Sequence, residues 1–322
     1  MNNLRLTSKL VTSLSIVVLL SGCGGAQSGS LPQTAPAQRR DHRASGSPGD
    51  LLYVLMTDKT YMLNYPSLTT FGVVQGGETV MLASDPNNGN VIIGDSEFAH
   101  GETKPFATVK LKNGQRAEFT AFDPTTDDIA FSVRKYSSAN GFVAVYQNLN
   151  SRPKKYADKR FELYLAVGYD GMGNLFTLGL DHHNKNVFAE LPKGENKFTD
   201  IPLAPSGIKA PSNILWDGTY LVLQGGRNFY RVIVSGSQLT VESKTILKGA
   251  FTPPYDKFCI CEGSAIGPHL SGAPHNGSDF GLWSYPDGGP AYQVVKDLDH
   301  NRKARVYGVA LSVAPPGSRT RK

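Results

Sequence analysis

Histidines and carboxylates concentrate in a few polar segments of the sequence. Six of the seven histidines lie between residues 51 and 314, and five of those six follow short apolar runs. The five are His100, His182, His183, His269 and His275, whereas His300 lies apart. Asp95, Glu97, Glu102, Asp181 and Asp279 lie in the same segments. Imidazole and carboxylate groups together suit divalent transition metals, so the pattern raises the hypothesis of a metal site.

The same segments are also typical of a polar binding surface. Polar loops collect histidine without binding a metal, and the adjacent His182 and His183 point to opposite sides of an extended chain. We therefore predict a candidate binding face, expect no cofactor, and leave a divalent metal open as the exception. The face consists of His100, Arg134, Lys135, Asp181, His182, His183, Arg227, His269 and His275.

Two cysteines, Cys259 and Cys261, are two positions apart in an apolar run, so their side chains point to the same side of an extended strand. Three states stay open for them. They are packed free thiols, a disulfide, which is strained at this spacing, or a metal or redox pair. A zinc site would require further ligands.

Aspartates recur at Asp85, Asp123, Asp170 and Asp217, each at the end of an apolar run. A carboxylate cluster for metal binding or acid catalysis is one interpretation. Aspartate also favours tight turns, because its side chain accepts hydrogen bonds from the backbone two residues later, and we favour this structural role. No G-x-S-x-G motif and no glycine-rich phosphate loop occur in the sequence, so no enzyme class is indicated.

The elements that position these residues are short apolar runs that end at turn residues. Six of them recur: VMLASD (80–85), EFTAFD (118–123), LAVGYD (165–170), NILWDG (213–218), FCICEG (258–263) and YGVALS (307–312). A second run follows most of them after a tight link, as in NVIIG from Asn90, which predicts a β-hairpin. Third runs end in Pro, Gly or Asn and lie at 61–67, 107–114, 143–150, 187–194, 230–237 and 281–288. The nearest helix candidate, residues 152–163, could equally be an outer strand.

Six such units in the 264 residues from 51 to 314 give 44 residues each, the length of a four-stranded propeller blade. The unit resembles the blades of NHL and YVTN type propellers. The resemblance implies an all-β fold, a six-bladed β-propeller of four-stranded antiparallel blades. This region begins with a second run, LLYVLMTD, and ends with a first run, so we expect the C-terminal strand to close the ring. Two β-sandwiches are the alternative architecture.

Propeller geometry would bring the polar segments together. The links from second to third strands emerge on one end of the ring, where propellers usually bind ligands. Here these links are expected at about 56–60, 94–105, 133–141, 179–186, 224–228 and 267–280. They contain every residue of the candidate binding face.

The N-terminus has the features of an exported chain. Arg5 and Lys9 precede the apolar run from Leu10 to Leu20, which predicts a signal peptide over residues 1–22. LSGCGG (20–25) resembles the lipobox of bacterial lipoproteins. The resemblance implies that Cys23 is lipidated and begins the mature chain, and the alternative is a chance cysteine near the cleavage site. Gly24 in place of the aspartate of inner-membrane lipoproteins favours the outer membrane in a Gram-negative cell envelope.

Residues 23–50 and 315–322 lack apolar clusters, so we predict a flexible tether and a disordered tail around the propeller domain, residues 51–314. Without Arg5 and Lys9, the chain retains 31 of its 33 basic residues against 27 acidic ones. The basic residues do not form the stripe that is typical of nucleic-acid-binding proteins, so we expect the protein to bind no nucleic acid.

The sequence therefore predicts a monomeric, non-enzymatic bacterial lipoprotein that is held at the membrane by its lipid anchor. Its loop segments would bind a protein, a peptide or a glycan. The alternative is a metal-dependent exported hydrolase or lactonase similar to the gluconolactonase propellers. A purely structural envelope protein is a third hypothesis.

Overall fold

The computed structural model describes residues 49–76, 81–135, 141–250, 256–270, 278–299 and 304–315. These residues form an all-β ring of six antiparallel blades, a six-bladed β-propeller. The predicted fold class is confirmed. The only helical turn among the described residues is the 3-10 turn Ala204–Ser206, and none of their helices is long and apolar enough to cross a membrane.

Twenty-five strands make up the six blades, numbered here from the blade that contains the N-terminal strand. Blade 1 consists of β1 (Leu51–Met56), β2 (Lys59–Asn64), β3 (Thr69–Gln75) and β25 (Val306–Ser312). Blade 2 consists of β4 (Leu82–Ser84), β5 (Val91–Ile93), β6 (Ser96–Phe98) and β7 (Ala107–Thr108). Blade 3 consists of β8 (Gln115–Phe122), β9 (Ile129–Lys135), β10 (Phe142–Tyr146) and β11 (Lys154–Tyr156).

The second half of the ring repeats this plan. Blade 4 consists of β12 (Leu163–Tyr169), β13 (Leu175–Leu180), β14 (Asn186–Leu191) and β15 (Thr199–Asp200). Blade 5 consists of β16 (Asn213–Trp216), β17 (Leu221–Gly225), β18 (Asn228–Ser235) and β19 (Gln238–Lys248), with β23 (Gly289–Pro290) added in parallel to β19. Blade 6 consists of β20 (Cys259–Cys261), β21 (Ser264–Pro268), β22 (Phe280–Ser284) and β24 (Gln293–Val295).

Several second strands of the blades are continuous apolar runs because they are covered on both faces. All six residues of β1 are buried, as are the first five of β9 and of β13. A strand that is packed between two neighbouring blades has no solvent face, so its sequence shows a continuous apolar run and no alternation. The outer strand β19, in contrast, alternates between exposed and partly buried residues over its first half.

The C-terminal strand closes the ring, as predicted. Strand β25 is the inner strand of blade 1 and pairs with β1 in six residue pairs, from Leu51↔Ser312 to Met56↔Val306. The backbone N–H of Ala314 donates to Asp50 Oδ1 at 2.9 Å, which extends the contact between the two ends of the domain. Closure leaves β1 paired on both sides, with β25 and with β2.

One blade differs from its predicted layout. The third strand of blade 2 is Ser96–Phe98, and residues 107–108 form its outer strand, so the third run expected at 107–114 is wrong. The cause is the compact hairpin of β5 and β6, which pairs Ile93 with Ser96 across a two-residue turn. Within the ambiguous segment 152–163, Lys154–Tyr156 is an outer strand.

Candidate binding site

The ring has two ends that differ in the connections they carry. The turn face is where the inner strands end, after Ser84, Phe122, Tyr169, Trp216, Cys261 and Ser312. The loop face is where the second strands end, after Met56, Ile93, Lys135, Leu180, Gly225 and Pro268. Strands alternate in direction, so links from outer strands to the next blade also emerge on the loop face, and links from third to outer strands emerge on the turn face.

Seven predicted residues lie on or beside the loop face. Arg134 and Lys135 end β9, whereas Asp181, His182 and His183 connect β13 to β14. Arg227 connects β17 to β18, and His269 follows β21 directly. His275, like Cys23, lies outside the described residues.

His100 lies at the turn face and not at the loop face, because it follows the true third strand of blade 2. Its Nδ1 is 2.6 Å from Ser312 Oγ and its Nε2 is 2.7 Å from the Gly49 carbonyl oxygen. Ser312 in turn donates to the Gly89 carbonyl oxygen. His100 thus ties blade 2 to the closing strand, which is a structural role.

The described loop-face histidines do not converge. His182 Nδ1 lies 3.4 Å from Glu162 Oε2, and His183 donates its backbone N–H to Asp181 Oδ1 in a turn. His269 packs near the Trp283 ring at 5.7 Å, and burial lowers its pKa. Among the described residues no group of three or more histidine, cysteine or carboxylate side chains could hold a metal ion.

The turn aspartates have the predicted structural role. Each accepts a backbone N–H from two residues later, at 2.8 to 2.9 Å, in the turn between an inner and a second strand. The four are Asp85, Asp123, Asp170 and Asp217. Asp217 also binds Arg231 Nε at 2.6 Å and accepts from the Tyr285 hydroxyl at 3.0 Å, which links blades 5 and 6.

A lysine occupies the central channel. The backbone N–H of Lys257 donates to the Tyr307 carbonyl at 2.8 Å, and the Val309 N–H donates to the Lys257 carbonyl at 3.2 Å. This pairing satisfies part of the inner edge of β25. The Lys257 amine reaches across the channel to the carbonyl oxygens of Leu82 (3.3 Å) and Thr120 (3.2 Å), which belong to blades 2 and 3.

No described carboxylate pairs with this amine, and its Nζ lies 4.8 Å from the centre of the Phe119 ring. Neighbouring Asp256 pairs with Arg305 instead. Burial disfavours the charged form and lowers the pKa of Lys257 to about 7. At this point of the channel the amine is held by backbone carbonyl oxygens.

A groove lies on the outer half of blade 3, and we call it the basic groove. Its volume is about 420 Å³. It is lined by Lys110, Leu111, Lys112, Gln115, Phe142, Tyr146, Arg152, Pro153 and Lys155. It extends from Lys112, near the loop face, to Arg152, at the turn-face end of β10.

Sheet geometry positions the floor and the charges of the groove. Phe142 and Tyr146 lie on the face of β10 that packs against the blade 2 cluster, and both are buried. Lys155 lies opposite Ala144, so it shares that face. Its Nζ stands 4.6 Å from the centre of the Phe142 ring, and Lys135 Nζ stands 5.7 Å from it. Both amines make cation–π contacts with the same ring.

The positive charges of the groove have no acidic counterpart. Lys110, Lys112, Arg152 and Lys155 are exposed, and none makes an ion pair with another described residue. The lining contains no aspartate or glutamate. Clustered like charges in a concave surface create a positive potential that attracts anionic groups.

Sequence reasoning named Lys135, which contacts the Phe142 ring beside the groove, but none of the residues that line it. The cations of the groove come from two separate segments, at 110–112 and 152–155. The K-x-K and R-P-K-K patterns were a visible signal, although neither is specific.

The two cysteines lie in β20, the inner strand of blade 6. Both are free thiols and partly exposed, and their sulfurs are 2.9 Å apart. A hydrogen bond to Cys259 and burial together raise the pKa of Cys261 well above its usual value.

No protein-family model matches the sequence, and no curated protein sequence matches it. Similar solved structures do exist. The chain is similar to a structure of a nidogen/laminin complex, with a TM-score of 0.63 and 12% identity over 83% of this chain and 100% of that chain. It is similar to a protein of unknown function from Bacteroides caccae, with a TM-score of 0.58 and 9% identity over 83% and 99% of the two chains.

A third similar structure is the β-propeller domain of Cps50 (Swd1) from Myceliophteria thermophila, with a TM-score of 0.51 and 11% identity over 78% and 83% of the two chains. These similarities show the class of fold, a β-propeller, and at such low identity they show nothing finer.

Proposed function

We propose that this protein is an exported, membrane-anchored binding module whose basic groove takes an acidic segment of a protein partner. The observation that carries the proposal is the groove itself, with four exposed cations around two buried aromatic rings and no acid in its lining. A folded protein gains nothing in stability from such unpaired like charges, so their placement favours a binding role.

The dimensions of the groove favour a peptide segment as the ligand. Its volume of about 420 Å³ accommodates a few side chains and not a folded surface. Aspartate or glutamate carboxylates would pair with Lys110, Lys112, Arg152 and Lys155, and Arg152 supplies a fork suited to bidentate contact. The nidogen/laminin structure, in which a propeller takes part in a protein complex, is consistent with this proposal.

The membrane anchor is the second part of the proposal. Lipidation of Cys23 would hold the protein at the outer membrane of a bacterial cell envelope, because two or more acyl chains bind stably whereas one does not. Replacing Cys23→Ala should release the protein from the membrane fraction to the soluble fraction. Absence of fatty-acid label on the wild-type chain would contradict this part alone.

Binding is tested with a fluorescent decapeptide of alternating glutamate and glycine, titrated against the chain in low and high salt. We expect binding that weakens at least tenfold as salt is raised. The variant Lys110→Glu, Lys112→Glu, Arg152→Glu, Lys155→Glu should lose binding at least tenfold, because the groove then repels the peptide.

The matched control reverses four exposed lysines elsewhere: Lys185, Lys197, Lys209 and Lys248. It has the same net charge as the groove variant and should retain binding within about threefold, because distant exposed charges are screened. Equal losses of peptide binding in the two variants would show that the effect comes from net charge alone. That result would overturn the groove as the binding site. Binding of a uronic-acid oligosaccharide without binding of the peptide would make the partner a glycan.

A further inference from the structure

Cys259 and Cys261 lie close together in the inner strand of blade 6. They lie at the first and last positions of the three-residue strand β20, so both side chains point to the same side. Their sulfurs approach to 2.9 Å, which is within about 0.9 Å of a disulfide bond length. Both residues are partly exposed and pack at the edge of a hydrophobic cluster, and not within it.

A bond between the two sulfurs would be strained. Extended backbone places Cα atoms two residues apart at about 6.4 to 6.8 Å, the upper limit of the range for disulfides. Strained disulfides have more oxidising potentials than structural ones and are easily reduced. The backbone of β20 cannot shorten freely, because all three of its residues pair with β21, from Cys259↔Ile266 to Cys261↔Ser264.

We propose that Cys259 and Cys261 form a reversible dithiol–disulfide site that exchanges with an external disulfide. One cysteine thiolate attacks a sulfur of the external disulfide, forms a mixed disulfide, and releases one thiolate. The second cysteine then loses its proton and attacks the mixed disulfide, which forms the Cys259–Cys261 bond and releases the second thiolate. Two electrons pass to the external disulfide, and the two protons that the cysteines lose neutralise the released thiolates.

The two cysteines have different roles in this exchange reaction. Cys261 shares a hydrogen bond with Cys259 and retains its proton, because its pKa is raised well above the usual value. Cys259 therefore supplies the attacking thiolate, since the thiolate and not the thiol is the nucleophile. Cys261 is the resolving cysteine. This assignment concerns only β20 and is independent of the basic groove.

The test uses the full chain with Cys23→Ser, which leaves the pair as its only cysteines. The protein is equilibrated in glutathione buffers, trapped by acid and alkylation, and weighed by mass spectrometry. We expect oxidised glutathione to remove two hydrogens without a lasting glutathione adduct. Reduced glutathione at about 10 mM should reverse the reaction, because a strained bond is within reach of this buffer.

Single variants test the order of attack. Cys261→Ser should accumulate one glutathione on Cys259, because no resolving thiol remains. Cys259→Ser should react at least tenfold more slowly at pH 7, and raising the pH should narrow the difference. Equal rates in the two variants would overturn the order of attack.

Two outcomes would overturn the site itself. One is a pair that stays reduced in excess oxidised glutathione. The other is an oxidised pair that resists about 10 mM reduced glutathione, which would make it a structural disulfide. Circular dichroism of each form shows whether the fold is intact, so unfolding is not mistaken for reactivity.

Discussion

The central channel and the basic groove both hold cationic side chains without an acidic partner, but they differ in what surrounds those side chains. In the channel, the amine of Lys257 is buried and donates to two backbone carbonyls. In the groove, four cations are exposed and make no ion pair with described residues. The first arrangement completes the hydrogen bonds of the protein itself, and the second leaves charge available to another molecule.

This difference distinguishes a cation that stabilises the fold from a cation that is available to bind a ligand. Burial lowers the pKa of an amine, and the buried amine donates hydrogen bonds to carbonyl oxygens that would otherwise lack a donor. Removing it should therefore change the stability of the protein. An exposed cluster pays no desolvation cost, so removing it should change binding and leave stability almost unaltered. One deletion and three sets of substitutions, in order of decreasing expected effect, test this separation.

Deleting residues from Tyr307 onward should unfold the ring. The deletion removes most of β25, including buried Val309 and Leu311, and the backbone partner of Lys257. Burial of large apolar side chains contributes about 1.5 to 3 kcal/mol each, and the residues that pack on them lose burial as well, so we expect a loss of at least about 5 kcal/mol. Thermal and denaturant unfolding measure it.

A chain that ends at Pro315 is the control for this deletion. It keeps all of β25 and should unfold at the same temperature as the full chain. A deleted chain that melts like the control would refute the closure of the ring by β25.

Replacing Lys257→Met should change how stability depends on pH. The pKa of Lys257 is about 7 in the folded protein, below its ordinary value of 10.5. Between these values the unfolded chain binds more protons than the folded one, so this lysine makes stability rise with pH. We therefore compare the free energies of unfolding of the wild type and the variant. The value for the wild type minus the value for the variant should increase by about 4 kcal/mol from pH 7 to pH 10.5.

Denaturant titrations of both proteins at each pH supply the measurement. Ionisation of the buried tyrosines is common to the two proteins and cancels in the difference. The variant also leaves the carbonyls of Leu82 and Thr120 without their donor, which costs about 1 to 3 kcal/mol each at every pH. Parallel pH profiles for the two proteins would show that Lys257 is not buried in the channel.

Replacing Asp217→Ala should cost about 3 kcal/mol, because it removes the buried partner of Arg231 and the acceptor of two turn N–H groups. Asp200→Ala is the matched control. It also removes an arginine partner, but the Asp200 side chain is 54% exposed, so its loss should cost less than about 1 kcal/mol. Similar costs for both would mean that burial does not separate the two pairs.

The smallest expected effect on stability comes from the groove. The fourfold charge reversal of Lys110, Lys112, Arg152 and Lys155 should change the free energy of unfolding by about 0.5 kcal/mol or less per position, because single surface substitutions rarely do more. A loss of several kcal/mol in urea titrations would show that these cations stabilise the blade, and would weaken their assignment to binding.

The sequence was sufficient to predict the ring because apolar runs that end at turn residues recur once in each blade. Runs such as LAVGYD and EFTAFD are rich in apolar residues and each ends at a turn residue, so all six inner strands were predicted. The prediction for blade 2 was wrong because its third strand, SEF, has only three residues and no alternation of apolar and polar residues. The nearby segment ATVKLK shows that alternation clearly. The same error moved His100 to the wrong end of the ring.

The sites were harder to predict, since they depend on contacts between distant segments. In the sequence, Lys257 is a single lysine that precedes an apolar run. Its place in the channel follows from its backbone pairing with Gly308, which is distant in the sequence. The groove combines residues more than 40 positions apart. Neither arrangement leaves a local pattern, whereas the turn aspartates act within a few residues and were predicted correctly.

The position of the two domain ends also determines how the ring responds to tension. Gly49 and Ala314 lie at the turn face, where the other blades have the turn between inner and second strand. A force applied through the chain before residue 49 acts along β1, which pairs with β2 on one side and β25 on the other. Pulling then shears both ladders at once and cannot open their hydrogen bonds one by one, so the blade that closes the ring is also the one that resists detachment from whatever holds the N-terminus.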